Sequence, residues 1–349
     1  MSAAPTVDPD LVDLVDTFFR DTSGHEVVAA AEESGMPDDL WSAASGLGLT
    51  TVGLEEAAGG AGGSLLDTVT VLRTAARHAA PLPLAEHHVA GWLLAAASQT
   101  IPPGPLTVAT DPRDDLAVRD DRVSGTLHDV AWLPGATAIV TVAGTDLVVV
   151  PAGSFETVAG RDLAGMPRGT AHLDGAAARV LPGRIDRRAL SMRTALLRSA
   201  QLAGLMEAVD ELTRRYVAER VQFGKPIGAF QAVQHRVVTV AQMAAMSALA
   251  VDQAALAAMD RDASFEITAT KLVVSENAST AARAAHQAHG AIGMTREYRL
   301  QQFTRRLVVW RSSDGAERGL APALGTAVAA APSLPALIAD ARPDLEVRL

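Results

Sequence analysis

The stretch RYVAERVQFGKPIGAFQAVQH, Arg215 to His235, joins two long segments of helical period through a break that holds Gly224 and Pro226. Before the break, apolar residues recur at intervals of three and four from Leu196 onward, and after it the same period resumes at Val233. This period is typical of amphipathic helices, and a proline prevents the first helix from simply continuing. We therefore expect one helix to stop at Gly224 and a second helix to follow in the same bundle.

A second break, QAHGAIGMTREY from Gln287 to Tyr298, follows another segment of helical period. The last helices are expected over about 264–287 and 299–310. Four long helices, each with an apolar stripe, predict a helical bundle.

The part of the chain before the bundle divides by composition. Residues 8–100 have helical period, with loops at 35–37 and 59–63, whereas the segments between about 101 and 181 are short and rich in Val and Thr. The latter pattern is typical of β strands. The fold class predicted is mainly α with a central β domain: an N-terminal helical domain over 1–103, a small β barrel over 104–184 and a C-terminal four-helix bundle over 185–349.

Composition excludes several classes of function. The net charge of -10 argues against general nucleic-acid binding, which depends on cationic phosphate contacts. The chain has no cysteine, so it forms no disulfide and no thiolate metal site, and its histidines lack metal-ligand spacing. No signal peptide and no apolar run of membrane-spanning length are recognised, so we expect a cytoplasmic protein without a metal or a membrane.

The two breaks carry groups that could hold a flat, phosphate-bearing ligand. An arginine forks onto phosphate, a phenylalanine ring offers a face to an aromatic system, and a glycine lets the backbone come close to a ligand. An alternative for the first break is a helix end with a solvated arginine and a core phenylalanine, and for the second a glycine-rich turn between helices. The candidate residues are Arg220, Gln222, Phe223 and Gln231 in the first break, and Gln287, Gly290 and Ala291 in the second.

With these motifs, RxxFGxPI…FQAVQH and QAHGAIG, the chain resembles the acyl-CoA dehydrogenase family over about residues 10 to 330. The phrase LWSAASGLGLTTVGLEEAAGGAGGSLLDTVTVL resembles the family's N-terminal helical domain. The resemblance implies FAD-dependent oxidation of the α,β bond of an acyl-CoA thioester. It also implies that the seven candidate residues bind FAD across a subunit interface, and that an electron-transfer flavoprotein or a similar acceptor takes the electrons.

The resemblance places the catalytic base at Asp314. The family uses a glutamate at this position to remove the α-proton, and an ungapped count from Glu297 and Tyr298 reaches Asp314 in RSSDGAER. Aspartate is shorter by one methylene, and a shortfall of about an ångström can reduce the rate about a hundredfold. The family's other position for the base holds Thr194, which cannot act as one. The alternative is that Asp314 only caps a turn before Gly315.

The β domain departs from the family pattern where the flavin ring and the substrate are usually contacted. Thr110–Asp111–Pro112 and Asp129–Val130–Ala131 stand in place of the family's motifs. The chain resembles shortened actinobacterial subunits that form α2β2 heterotetramers, some acting on steroid side-chain or other branched acyl-CoA thioesters. Three functions stay open: a dehydrogenase subunit, a non-catalytic partner that completes the FAD site of another chain, and a homo-oligomer that uses Asp314.

Overall fold

A computed structural model of the chain describes residues 6–333 and residue 337. Helices come first, then a β region, then helices again, so the predicted fold class is confirmed. The ends of the expected first and third domains, at residues 1 and 349, lie outside the described residues, and the expected boundaries near 103 and 184 stay a prediction.

The helices are α1 Pro9–Thr22, α2 His25–Ser34, α3 Asp38–Gly46, α4 Leu65–Arg77, α5 Leu84–Ala96, α6 Arg187–Glu219, α7 Gln231–Asp260, α8 Ser264–His289, α9 Leu300–Trp310 and α10 Glu317–Ala330. The strands are β1 Leu106–Val108, β2 Asp115–Arg119, β3 Arg122–Ala131, β4 Ala138–Ala143, β5 Asp146–Pro151, β6 Glu156–Arg161, β7 Pro167–Ala177, β8 Arg179–Leu181, β9 Val221–Gln222 and β10 Lys225–Pro226.

The chain divides into two compact units. The first holds the described residues up to His25, then Leu72–Ala80 and the chain from Ala195 onward, and it contains α1 and the later helices. The second holds Glu26–Val71 and Pro81–Thr194 and contains the β region.

In the second unit the strands pair as two four-stranded sheets, in the orders β1-β4-β5-β8 and β2-β3-β7-β6. All neighbours are antiparallel except β1 and β4, which run parallel. Buried side chains of both sheets meet in one apolar core, including Val123, Leu127, Ile139 and Val148. The expected barrel is therefore made of two sheets in the described part of the chain, not of one closed sheet.

The first unit is built on α6 from Ala195 onward and on α7 and α8. These three helices have 33, 30 and 26 residues in full, whereas α9 has 11. All four expected helices are present among the described residues, and the fourth, α9, is shorter than the other three. Within this unit α6 comes close to the last turns of α4 at Gly204, because a Cβ there would lie 2.0 Å from the carbonyl oxygen of Arg73. Glycine thus allows the two helices to come close at this point, and any larger residue would push them apart.

Helix α6 ends at Glu219, earlier than the expected stop at Gly224. Strands β9 and β10 form a hairpin whose two loop residues, Phe223 and Gly224, both have positive φ, 50° and 76°. Two positive φ values in a two-residue loop are the geometry of a type I′ turn. The hairpin takes up residues that the sequence pattern had assigned to the helix.

Helix α7 is long and apolar enough, by length and composition alone, to cross a membrane. This departs from the expectation that no segment reaches that length. Core helices of proteins without membrane spans pass the same test, so a single such helix is weak support for a span. Its exposed apolar residues include Val238, Met246 and Leu249.

Candidate cofactor site and catalytic position

The two sequence breaks pack against each other. The ring of Tyr216, in the last turn of α6, stacks on the ring of His289 at the end of α8, with centroids 4.5 Å apart and planes inclined by 18°. Beneath this pair, Val217, Ile227 and Ala288 form a small buried apolar cluster. The packing brings the hairpin and the end of α8 to one place on the first unit, although about 70 residues separate them in sequence.

The hairpin presents Phe223 to the surface. Its side chain is 91% exposed, and its nearest aromatic neighbour, Phe230, meets it edge-on at 6.0 Å. A non-glycine residue in the left-handed region costs of the order of 1 kcal/mol, and an exposed ring recovers none of that cost by burial. Phe223 is therefore not a core residue, and the alternative that the first break holds a core phenylalanine is excluded.

The polar candidates in both breaks are free to meet a ligand. Arg220, Gln222, Gln231 and Gln287 are all exposed, and none makes a side-chain hydrogen bond or ion pair with another described residue. A single free surface side chain is ordinary; four of them, beside an exposed ring, form a surface with donors for phosphate and a face for an aromatic ring.

The loop after α8 leaves its backbone open. Gly290 has φ 69°, and a Cβ built there would meet no atom within 4 Å. It begins a short 3-10 turn, Gly290–Met294, in which Ala291 is exposed. The open glycine and the donors beside it fit the diphosphate of a dinucleotide cofactor, which needs bare backbone and hydrogen-bond donors.

Asp314 lies in a separate cluster of the same unit. It follows α9 in a turn, with φ 54°, and its Oδ2 accepts a hydrogen bond of 2.9 Å from Nε of Arg198. Both side chains are nearly buried, with 11% and 8% exposed. The Arg198 guanidinium also lies 4.9 Å over the ring of Trp310. The carboxylate at the expected base position is thus already bound by a guanidinium.

The sequence pattern did not single out Lys271, which lies beneath this turn and is fully buried. Its Nζ donates to the carbonyl oxygens of Arg311 and Gly315, at 2.7 and 2.9 Å, and to Oγ of Ser275 at 3.0 Å. The two carbonyls bracket Asp314, so Lys271 holds both ends of its turn. Burial lowers the pKa of Lys271 to about 7. In the sequence, the signal that could have pointed to Lys271 is a single lysine within an apolar-periodic helix.

Thr194, at the family's other position for the base, is buried in the second unit and donates its hydroxyl to the carbonyl of Ser191 at 2.9 Å. It offers no carboxylate and cannot act as the base.

The unusual acidic residues of the β region are engaged within this chain. Asp111 accepts hydrogen bonds of 2.8 and 2.7 Å from Arg113, and Asp129 accepts one of 2.6 Å from Nε of Arg168. The Arg113 contact holds the pKa of Asp111 below its usual value. Both positions where the family pattern is lost therefore carry ion pairs.

Comparison with known proteins agrees with the geometry. The acyl-CoA dehydrogenase N-terminal and C-terminal domain families match residues 9–100 and 188–320. The chain is 30% identical over 288 residues to the acyl-CoA dehydrogenase IpdE2 of Mycolicibacterium smegmatis, covering 80% of this chain and 86% of that one.

Solved structures show the same fold. One subunit of the Tcur3481-Tcur3483 steroid acyl-CoA dehydrogenase superposes with a TM-score of 0.85 at 26% identity, covering 92% of this chain and 97% of that one. A chain of the ChsE4-ChsE5 complex from Mycobacterium tuberculosis gives a TM-score of 0.84 at 24% identity, covering 94% and 99%.

The chain belongs to the acyl-CoA dehydrogenase family. It is a member of a family of FAD-dependent oxidoreductases, so the expected family and cofactor are confirmed.

Proposed function

We propose that this chain is a subunit of an acyl-CoA dehydrogenase and that it completes an FAD site together with a second chain of the same family. The observation that carries the proposal is the surface formed by the two breaks: an exposed Phe223 ring beside Arg220, Gln287 and an open Gly290. Bound FAD would accept the hydride that leaves Cβ of the acyl group. The residues of this chain would bind and orient it, with Gln222, Gln231 and Ala291 at the rim of the surface.

The proposed assembly is a heterotetramer with a second acyl-CoA dehydrogenase subunit. Two-chain relatives of the same fold, ChsE4-ChsE5 and the Tcur3481-Tcur3483 steroid enzyme, support this choice over a homo-oligomer. A steroid side-chain or other branched acyl-CoA is the proposed substrate class, an electron-transfer flavoprotein or a similar protein the acceptor, and cytoplasmic lipid metabolism the setting. The exposed apolar residues of α7, Val238, Met246 and Leu249, suit a permanent interface.

Co-purification tests the assembly. Expressed alone, the chain should be colourless; expressed with a second family member that retains a glutamate base, it should give a yellow complex. Sedimentation at micromolar concentration should show no monomer in that complex. A chain that is yellow and stable by itself would refute the heteromeric proposal in favour of a homo-oligomer.

Whether this chain supplies a base is a separate question. As a catalytic subunit it would use Asp314 to remove the α-proton, with the shorter side chain making it slow. The contact with Arg198 favours the second candidate function, a non-catalytic partner, because Asp314 would have to leave or share that guanidinium to take a proton. Asp314→Asn decides between them: abolished turnover assigns the base to Asp314, and full turnover in the complex assigns it to the partner chain.

A further inference from the structure

Three aromatic rings join the two halves of the proposed flavin surface. Tyr216 lies in the last turn of α6, His289 is the last residue of α8, and Tyr298 lies shortly before α9. Besides the stack of Tyr216 on His289, the ring of Tyr298 meets Tyr216 at 5.8 Å and His289 at 5.2 Å between centroids. Each ring therefore contacts the other two, and they form an aromatic triad within the first unit.

The state of His289 follows from its hydrogen bonds. Its Nδ1 lies 2.8 Å from the carbonyl oxygen of Ala285, which can only accept, so Nδ1 carries the proton and donates it. Its Nε2 is buried and has no hydrogen-bond partner among the described residues. A second proton there would find no acceptor, and burial lowers the pKa of His289, so the ring is neutral. The bond to Ala285 fixes the plane on which the Tyr216 ring stacks.

Each member of the stack is tied through the backbone to one group of the proposed flavin surface. The carbonyl oxygen of Tyr216 accepts a hydrogen bond of 2.9 Å from N of Arg220, and the carbonyl oxygen of Arg220 accepts one of 2.8 Å from N of Ile227. His289 directly precedes Gly290. Because Arg220 and Gly290 belong to different breaks, their spacing depends on contacts between the breaks. The stack lies one helical turn from Arg220 and one residue from Gly290, where it can set that spacing.

We propose that Tyr216 and His289 are positioning residues for the cofactor: their stack holds Arg220 and Gly290 at the spacing at which one diphosphate contacts both. This role depends on the proposed flavin surface, since the stack acts through two of its groups. His289 is 4% exposed, so it influences a ligand through its neighbours. The apolar cluster beneath the stack attracts the two breaks without direction, whereas stacked rings also restrict their relative orientation.

Titration of FAD into the flavin-depleted complex of this chain with its partner subunit tests the role. Tyr216→Leu keeps an apolar side chain but removes the ring, and it should weaken FAD binding about two- to tenfold, the contribution of one aromatic pair. Tyr216→Phe keeps the ring and should bind FAD as the wild type does. His289→Gln can still donate to Ala285 but removes the other ring. It should weaken FAD binding by the same factor and add little to Tyr216→Leu in a double variant.

Phe19→Leu is the matched control. Phe19 is a fully buried ring on α1 in the same unit, and it meets Phe18 edge-on with centroids 4.9 Å apart. Its loss should lower the melting temperature and leave FAD affinity unchanged. Unchanged FAD affinity in both Tyr216→Leu and His289→Gln, or an equal loss of affinity in Phe19→Leu, would make the stack merely structural and overturn the proposal.

A double-mutant cycle separates the positioning role from the flavin surface itself. If the stack acts through Arg220, Tyr216→Leu should cost less FAD affinity in the Arg220→Ala background than in the wild type. Fully additive losses would contradict the role, because the ring would then act independently of Arg220. Unchanged FAD affinity in Arg220→Ala alone would refute the flavin surface. Weakened binding in Arg220→Ala, with no effect of either stack variant, would refute only the positioning role.

Discussion

Nε of Arg198 lies 2.9 Å from Oδ2 of Asp314, although the two residues are 116 positions apart in sequence. Nη1 of the same guanidinium donates to Gln201 at 2.7 Å, and the group stacks over Trp310. The carboxylate at the family's catalytic position is therefore one half of a nearly buried ion pair. Such pairs are costly to break from one side, because the remaining charge loses its counter-ion.

Asp314→Ala should therefore destabilise the protein by roughly 3 kcal/mol. In the double variant with Arg198→Met the loss should be smaller than the sum of the two single losses, because the pair is removed as a unit. Urea unfolding measures all three values. Arg214→Ala, which breaks an exposed ion pair with Asp210 on α6, is the control and should cost less than about 1 kcal/mol. A negligible effect of Asp314→Ala would show that the pair contributes little.

Arg220→Ala and Gln287→Ala should each lower FAD affinity about ten- to a hundredfold, with the larger effect at Arg220. Loss of a hydrogen bond to a charged group costs roughly 1.5–3 kcal/mol. Flavin content of the purified complex at limiting FAD gives the measurement. The control is Arg214→Ala, an exposed arginine on α6, the helix that ends just before Arg220. Unchanged flavin content in both variants would remove these residues from the site.

Phe223→Gly should separate stability from cofactor binding. Glycine adopts φ 50° without strain, and the phenylalanine ring is 91% exposed, so the isolated chain should lose no stability and gain up to about 1 kcal/mol. FAD retention in the complex should fall, because the ring face is gone. Melting temperature and flavin content are measured on the same preparations. A destabilised chain would show instead that the ring is packed in the folded subunit.

Lys271 should make stability depend on pH. Its pKa is about 7 in the folded chain, against 10.5 for an ordinary lysine, so between these values the unfolded chain binds a proton that the folded chain does not. Stability should rise with pH across this range, by about 1–2 kcal/mol between pH 7 and 9. Below about pH 7 Lys271 is protonated in the folded chain as well, and the free energy of unfolding is lowered by the full cost of burying the ammonium.

Urea unfolding of Lys271→Met at both pH values checks this: the slope with pH should be lost, whatever the change in absolute stability. Lys225→Met, at the exposed hairpin, should keep the wild-type slope. A rising slope that survives in Lys271→Met would assign it to other groups whose pKa is lowered on folding. Glu207 is not one of them, because burial raises its pKa and would make stability fall as pH rises.

Local patterns in the sequence determined the fold class, the positions of the two breaks and the family, because helical period, turn residues and motif spacing are properties of neighbouring residues. They placed Phe223 and Gly290 in loops but extended α6 beyond Glu219. The apolar period is the same whether the next residues continue the helix or form a type I′ hairpin, so the period does not mark this boundary. Only the tertiary structure decided that Asp314 meets Arg198 and that Lys271 lies beneath its turn. Each of these depends on contacts between residues far apart in the chain, and no local pattern encodes which distant side chain a charge will meet.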